Sequence, residues 1–230
     1  MPTNFHLFGT VHLAILCAVV ALAGVLAVLQ RRLTPETRWL RLGLGSLLVI
    51  DSLTYYGYLA SRGQLTFPDH LPLELCDASL FLTIFALFTL NRLVYDLAYY
   101  WALAGATMAL LTPNLWEPFP SFGTVQFFVD HGLIVVSVLF LAWSGLMRPR
   151  AWSVMRAMLV LNVLAVFIGA FDYVYKTDYM YLRAKPQNAS LLDLLGPWPW
   201  YIVATELVAL LLFVLLYFPF RRRSLQDAEV

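Results

Sequence analysis

A cysteine between two carboxylates stands in an otherwise apolar part of this chain. The segment 71–77 reads LPLELCD, so Cys76 follows Glu74 by two positions and directly precedes Asp77. At membrane depth, polar groups must be paired or must face a wet cavity, because hydrocarbon offers them no partners. The pattern therefore predicts a reaction or transport site enclosed by helices.

The chemistry open to Cys76 depends on a base. A cysteine reacts as its thiolate, and the neighbouring carboxylates oppose the thiolate by charge repulsion. Among the histidines in apolar runs, only His131 and His12 fall at a similar depth. A Cys–His pair transfers acyl groups by removing the thiol proton and forming a thioester. We therefore predict Cys76 and His131 as the catalytic residues. An inert, packed cysteine is the alternative.

A third residue would orient the imidazole of His131. Asp130 adjoins it in sequence but projects about 100° away on a helix, which makes it a poor candidate. Asp77, Glu206 and Asp51 are better candidates because they lie on other helices. The residues predicted to support or orient the pair are Asp77, Glu74, Asp51, Glu206, His12 and Asn162. For His12 and Asn162, hydrogen bonds between helices are the competing interpretation.

The elements that must position these residues are membrane helices. The chain is 61% hydrophobic and 13% charged, about half the charged fraction of a soluble domain. Apolar runs of about 20 residues recur along it. We predict an all-α polytopic bundle with one transmembrane domain over 1–220 and a basic, then polar tail over 221–230. The seven predicted spans are Leu7–Leu29, Trp39–Ala60, Leu71–Leu90, Val94–Thr112, Gly123–Met147, Trp152–Phe171 and Trp198–Phe220.

The distribution of basic residues predicts the orientation. Eleven of the 15 Lys and Arg fall on one side of the predicted bundle: Arg31, Arg32, Arg38, Arg41, Arg92, Arg148, Arg150, Arg156, Arg221, Arg222 and Arg223. Cytoplasmic loops carry such an excess, so the N-terminus is predicted outside and the C-terminus in the cytosol. The net charge of +1 gives no indication of nucleic-acid binding.

With this orientation, the intramembrane polar residues gather in the outer half or near the midplane. At 1.5 Å per residue, Glu74, Cys76 and Asp77 lie about 5–10 Å below the outer end of their helix. The inner half has almost no polar residues. We predict a cavity that opens to the outer leaflet beneath a long loop over 172–197. Its further predicted cavity or loop residues are Asn114, Tyr179, Asp193, Trp198 and Trp200.

Several segments carry a family resemblance. These are 71–77, LLTPN at 110–114, DHG at 130–132, DYMYLRAKP at 178–186 and ASLLDLLGPWPWY at 189–201. Over 71–201 the chain resembles the YwaF-type bacterial integral membrane family. Asp178 departs from that family, in which asparagine is frequent at this position.

The resemblance implies a function. Members of the family are similar to an animal TMEM-type acyltransferase that transfers polyunsaturated acyl chains to ether phospholipids through a membrane cysteine. They are more distantly similar to androgen-induced lipid hydrolases, which use a Thr–His pair. By this resemblance, Cys76 matches the acyl-accepting cysteine and His131 the paired histidine. A bacterial plasma membrane is the implied location.

Four functions remain open from the sequence. A lipid acyltransferase or ester hydrolase leads, with phospholipids or fatty-acyl esters as partners and no cofactor. A proton- or cation-coupled transporter would use Asp51, Glu74, Asp77 and Glu206. A zinc hydrolase would bind its metal through His12, His131 and a carboxylate, although no metal-binding spacing such as H-E-x-x-H is present. A purely structural role is the fourth. The oligomeric state is not predicted.

Overall fold

Helices make up the ordered structure of this protein, as the sequence predicts. The computed structural model describes residues 5–33, 38–115, 117–186 and 190–221, and every regular element in these ranges is helical. The α-helices are α1 (Thr10–Arg32), α2 (Trp39–Ser61), α3 (Leu75–Thr89), α4 (Arg92–Trp101), α5 (Thr107–Leu111), α6 (Phe122–Trp143), α7 (Ser153–Tyr175) and α8 (Trp200–Tyr217). Short 3-10 turns cover Tyr179–Tyr181, Leu191–Leu195 and Phe218–Phe220. Of the predicted tail, all but Arg221 lies outside the described residues.

The third helix begins later than predicted. The predicted span started at Leu71, whereas α3 starts at Leu75. Pro72 has no N–H to donate, and Glu74 forms a capping box with Asp77, which fixes the first turn. Cys76 is therefore the second residue of the helix and lies in its first turn.

Other boundaries shift for local reasons. The fifth predicted span continued to Met147, but α6 ends at Trp143, and the turn that follows contains Gly145 at φ +84°. The sixth span was predicted to end at Phe171, whereas α7 continues to Tyr175 and includes Asp172. Asp172 is fully buried and accepts hydrogen bonds from Thr177 and from the Tyr179 amide.

The fourth predicted span is one irregular helix. A π-helical turn over Ala102–Ala106 joins α4 to α5, so the chain is helical from Arg92 to Leu111. Such wide turns occur mostly singly within α-helices and frequently at functional sites. Here Ala104 and Gly105 of the turn line the cavity described below.

The helices pack around α6, which is mostly buried, whereas α1, α7 and α8 are mostly exposed. Large apolar side chains cover the exposed faces; Val166 and Phe167 on α7 are each 71% exposed. By length and composition, four helices in the described part of the chain can cross a membrane: Thr10–Arg32, Phe122–Trp143, Ser153–Tyr175 and Trp200–Phe220. Helix α3 is apolar but shorter. Exposed apolar helices of this length are stable in lipid, and the chain is an integral membrane protein.

A buried ion pair lies at the end of the bundle opposite the start of α3. Asp96 on α4 is fully buried and accepts hydrogen bonds from Nε and Nη2 of Arg150 at 3.2 and 3.1 Å. The backbone amide of Arg150 also donates to it. The prediction that this half of the bundle has almost no polar residues did not account for Asp96. Its partner Arg150 lies in the turn between α6 and α7, 54 residues away in sequence.

Candidate functional site

A cavity of about 1080 Å³ opens where α3 begins. Residues of α2, α3, the helical segment 92–111, α6, α7 and α8 line it, together with the loop over 176–199. Most of the lining side chains are apolar, and none of the described residues that line it is Lys or Arg. The predicted residues that line this cavity are Cys76, His131, Glu74, Asp77, Glu206, Asn162, Asn114 and Tyr179. The predicted pair thus meets a single, large and mainly apolar space.

The start of α3 positions Cys76. Glu74 precedes the helix, its side chain caps the amide of Asp77, and the Asp77 carboxylate accepts from the Glu74 amide at 3.0 Å. Oε2 of Glu74 also accepts from the Met180 amide at 2.9 Å, which ties the loop to the helix start. Both carboxylates thus have structural hydrogen bonds. Cys76 lies between them in sequence, and its side chain is half-buried. It stands in the first turn of α3, where the helix dipole favours an anion.

His131 is held in one orientation by its own helix. Nδ1 lies 2.8 Å from the Phe127 carbonyl oxygen, and the Phe127 ring stacks on the imidazole with centroids 4.2 Å apart. Because a carbonyl only accepts, Nδ1 carries the proton in this contact. In the neutral ring Nε2 is then a proton acceptor, which is the state that a general base needs.

The sequence predicted that a carboxylate from another helix would orient the His131 ring. In the structure, each candidate carboxylate has a different hydrogen-bond partner. Asp77 caps α3, and Asp51 accepts from Gln126 at 3.1 Å. Glu206 accepts from Asn162 at 2.9 Å. Asp130, which the sequence disfavoured, places Oδ2 3.7 Å from Nδ1 of His131. The Phe127 carbonyl, one turn earlier on the same helix, orients the ring instead.

Two predicted supporting residues lie away from the cavity. His12 is fully buried between the Phe8 amide, which donates to Nδ1, and the Leu110 carbonyl, 2.7 Å from Nε2. Both ring nitrogens are therefore occupied: Nδ1 by the main chain just before α1, and Nε2 by α5. Asp51 lines a separate groove of about 270 Å³ between α2 and α6, and Gln126 borders both spaces.

The described residues contain no group of three His, Cys, Asp or Glu that could hold a metal ion. The zinc hypothesis required His12 as a ligand. Because both nitrogens of His12 bond to the main chain, the geometry does not fit that ligand set.

The loop residues divide between the cavity and the surface. Tyr179 anchors the loop: its hydroxyl donates to the Pro68 carbonyl at 2.7 Å and accepts from the Leu71 amide at 2.9 Å. Three predicted residues do not line the cavity. Trp198 donates to the Leu182 carbonyl, Trp200 is 67% exposed, and Asp193 caps the short turn at Leu191–Leu195.

Several residues that line the cavity were not assigned to the site by the sequence, among them Tyr181, Gln126 and Asp130. Tyr181 and Gln126 have neutral side chains, and neither belongs to a recognisable spacing pattern. Asp130 was set aside because it adjoins His131, yet its Oδ1 is buried without a hydrogen-bond partner among the described residues. An intramembrane carboxylate is itself the signal that could have marked Asp130.

The comparisons with known proteins point to one family. A model described as the TMEM164 family matches residues 7–217. No curated protein and no solved structure matches the chain.

Proposed function

We propose that this chain, which belongs to the TMEM164 family, is a membrane-embedded lipid acyltransferase or ester hydrolase that forms an acyl-thioester on Cys76. One observation carries the proposal. A half-buried thiol in the first turn of α3 and an imidazole with a fixed Nδ1–H line one large, mainly apolar cavity. The similarity to an acyltransferase noted from the sequence supports the same chemistry.

The proposed reaction has two steps. In the first, His131 Nε2 takes the thiol proton, the sulfur attacks an ester carbonyl carbon, and the carbon–oxygen bond to the glycerol backbone breaks. The departing oxygen takes the proton from His131, which leaves a thioester and a lysolipid. In the second, an alcohol or water gives its proton to His131 and attacks the thioester, and the thiol is restored.

The cavity supports a lipid substrate. Its lining contains small and apolar residues from three helices, such as Gly105, Ala109, Ala165 and Ala209. An acyl chain fits a space of this kind, in which few polar groups need partners. We propose a phospholipid or fatty-acyl ester as the substrate, bound with its ester near the start of α3.

The proposed topology has seven transmembrane spans, with the N-terminus outside and the C-terminus in the cytosol. The helical segment 92–111, α2 and α3 would complete the four longer apolar helices. The basic residues support this orientation. The cavity would then open to the outer leaflet, and a bacterial plasma membrane is the proposed location.

Intact-protein mass spectrometry tests the thioester. Purified protein is incubated with mixed phospholipids, and the wild type is compared with Cys76→Ala and with Cys17→Ala. Cys17 is the matched control because it is the other cysteine of the chain and lies exposed on α1. We expect a hydroxylamine-labile acyl adduct on wild type and Cys17→Ala but not on Cys76→Ala. An adduct that survives in Cys76→Ala, or no adduct on any form, contradicts the proposal.

A proton- or cation-coupled carrier is the second candidate. Five carboxylates line the cavity, and no described Lys or Arg lines it with them; they are those of Asp69, Glu74, Asp77, Asp130 and Glu206. A carrier would lose transport in Glu206→Gln and keep it in Cys76→Ala. Proton flux into proteoliposomes that contain these two variants separates the functions.

A further inference from the structure

Two consecutive residues of the 176–199 loop have a costly backbone conformation. Met180 and Tyr181 have φ of +55° and +54°, and neither is glycine. Left-handed conformations of this kind cost on the order of 1–3 kcal/mol each and persist only where the surroundings hold them. Backbone strain of this kind clusters at functional sites, which indicates a functional role for the loop at Tyr181.

Two hydrogen bonds hold this conformation, one to the residue that caps α3 and one from a residue of α8. The Met180 amide donates to Oε2 of Glu74 at 2.9 Å. Glu74 precedes Cys76 by two residues. The Tyr181 carbonyl accepts from the hydroxyl of Tyr201 on α8 at 2.6 Å. With its main chain fixed on both sides, Tyr181 lines the cavity that Cys76 also lines.

The hydroxyl of Tyr181 has a proton to donate. Its oxygen accepts from Nδ2 of Asn114 at 3.3 Å, and no described residue accepts its proton. By contrast, the hydroxyls of Tyr179 and Tyr201 both donate to main-chain carbonyls. Burial raises the pKa of Tyr181, and the nearby Glu74 and Cys76 raise it further, against the opposing hydrogen bond from Asn114. The phenol is therefore a neutral donor in the cavity that Cys76 also lines.

We propose that Tyr181 donates a hydrogen bond to the acyl oxygen of the tetrahedral intermediate at Cys76, with Asn114 as a positioning residue. The inference rests on the proposed thioester chemistry and names a further catalytic residue for it. A donor fixed where negative charge develops stabilises the transition state, and it does so strongly in a site that excludes water.

During acylation the negative charge moves from the Cys76 sulfur to the acyl oxygen. When the Cys76 sulfur bonds to the carbonyl carbon, the carbonyl π electrons move to its oxygen, which becomes an oxyanion. Tyr181 stabilises that oxyanion through its O–H without transferring the proton. The oxyanion then re-forms the carbonyl, and the bond to the leaving oxygen breaks as that oxygen takes the proton held by His131.

Tyr181→Phe tests this role by two reactions of the same thiol. The first is single-turnover acylation of Cys76 by p-nitrophenyl palmitate, which passes through an oxyanion. The second is alkylation of Cys76 by iodoacetamide in a Cys17→Ala background, which displaces iodide and forms no oxyanion. We expect acylation to slow by about 10²–10³-fold, as for loss of one oxyanion donor, and alkylation to be unchanged.

Two further variants complete the test. Tyr55→Phe is the matched control: Tyr55 lines the same cavity from α2, outside the 176–199 loop, so we expect the ratio of its acylation rate to its alkylation rate to stay as in wild type. Asn114→Ala leaves the Tyr181 hydroxyl in place without its orienting partner, so we expect a smaller loss of acylation. It also tests the pair if Tyr181→Phe does not fold.

The outcomes distinguish the two proposals. Unchanged acylation in Tyr181→Phe, or equal loss of acylation and alkylation, overturns the role of Tyr181 while the thioester mechanism stands. If the wild type itself forms no adduct on Cys76 with either phospholipids or the aryl ester, the proposed function fails, and the role of Tyr181 fails with it.

Discussion

The reactive residues occupy positions where the backbone does most of the orienting. The Phe127 carbonyl fixes the Nδ1 proton of His131, and the first turn of α3 carries Cys76. A carboxylate partner would stabilise the protonated imidazole, whereas a carbonyl mainly fixes the tautomer. The candidate site thus depends on a neutral histidine. Glu74, Asp77 and Glu206 are engaged in hydrogen bonds of their own, and Asp130 is the carboxylate beside the ring, 3.7 Å from Nδ1.

Replacing the base should separate catalysis from structure. We expect His131→Gln to slow Cys76 acylation by about 10²–10⁴-fold, the usual contribution of a general base. His70→Gln is the matched control, because His70 also lines the cavity but bonds to Thr66 at its edge. Acylation rates from p-nitrophenyl palmitate measure both variants. Equal rates in the two would show that His131 is not the base.

At this scale the sequence predicted the reactive pair, three of the five carboxylates and several neutral residues of the cavity, and it missed Tyr181, Gln126 and Asp130. Cys76 and Glu74 could be identified because charged or reactive groups are costly in lipid. Tyr181 could not, since tyrosine is common at membrane interfaces. His12 lies away from the cavity, and its contact with the Leu110 carbonyl agrees with the interpretation that it bonds between helices. No side-chain pattern reveals its partners, because both are backbone groups.

Among the elements, the start of α3 has the most consequences for the site. Its capping residue Glu74 also accepts from the loop, so one carboxylate fixes both the helix end and the cover of the cavity. The sequence predicted a helix here but placed its start four residues early, since hydropathy does not register a capping box. That difference moves Cys76 into the first turn.

Loss of this carboxylate should loosen the loop. We expect Glu74→Ala to destabilise the start of α3 by about 0.5–2 kcal/mol, as for loss of a cap. The loop contains Arg183 and Lys185, so limited trypsin digestion should cut it faster in the variant. Asp69→Ala is the control, an exposed acidic residue before α3. Equal cleavage in both variants would contradict the link between Glu74 and the loop.

The ion pair between Asp96 on α4 and Arg150 in the α6–α7 turn should stabilise the folded protein. Arg150→Met leaves the fully buried Asp96 with the backbone amide at 150 and with Arg156, whose Nη1 lies 3.8 Å away. Because the Arg150 side chain is 38% exposed, we expect a loss smaller than the roughly 3–5 kcal/mol for breaking a fully buried pair. Arg148→Met, in the same turn but exposed, should have little effect. Thermal melting in detergent compares them, and matching melting temperatures would refute a stabilising role for the pair.

For the molecule as a whole, composition and apolar runs predict an all-helical membrane protein. The order and approximate extent of the helices follow from hydropathy alone. Helix rotation does not, because an apolar helix in lipid shows no clear polar face. The meeting of α3 and α6 at one cavity, and the exclusion of α1 from it, could therefore be learned only from the packing.

The proposed topology predicts opposite accessibility for the two ends of the bundle. Single cysteines in place of Arg62 and Arg148 are introduced into a chain without Cys17 and Cys76. In intact cells, a membrane-impermeant maleimide should label the cysteine at 62, at the end of α2, and not the one at 148, in the α6–α7 turn. Labelling of 148 alone would invert the orientation, and labelling of both would refute the span count.

The wide turn at Ala102–Ala106 has a consequence for how related chains should be aligned. It holds one residue more than an α-helical turn would need, so a relative that lacks one residue here would continue as a regular helix. Because the wide turn itself takes up the extra residue, the helix after it would keep its faces, and Asn114 would stay opposite Tyr181. A gap placed between positions 102 and 106 would therefore preserve the match of the residues that follow. A gap placed after Leu111 would instead assign each position in between to a face about 100° away around the helix axis.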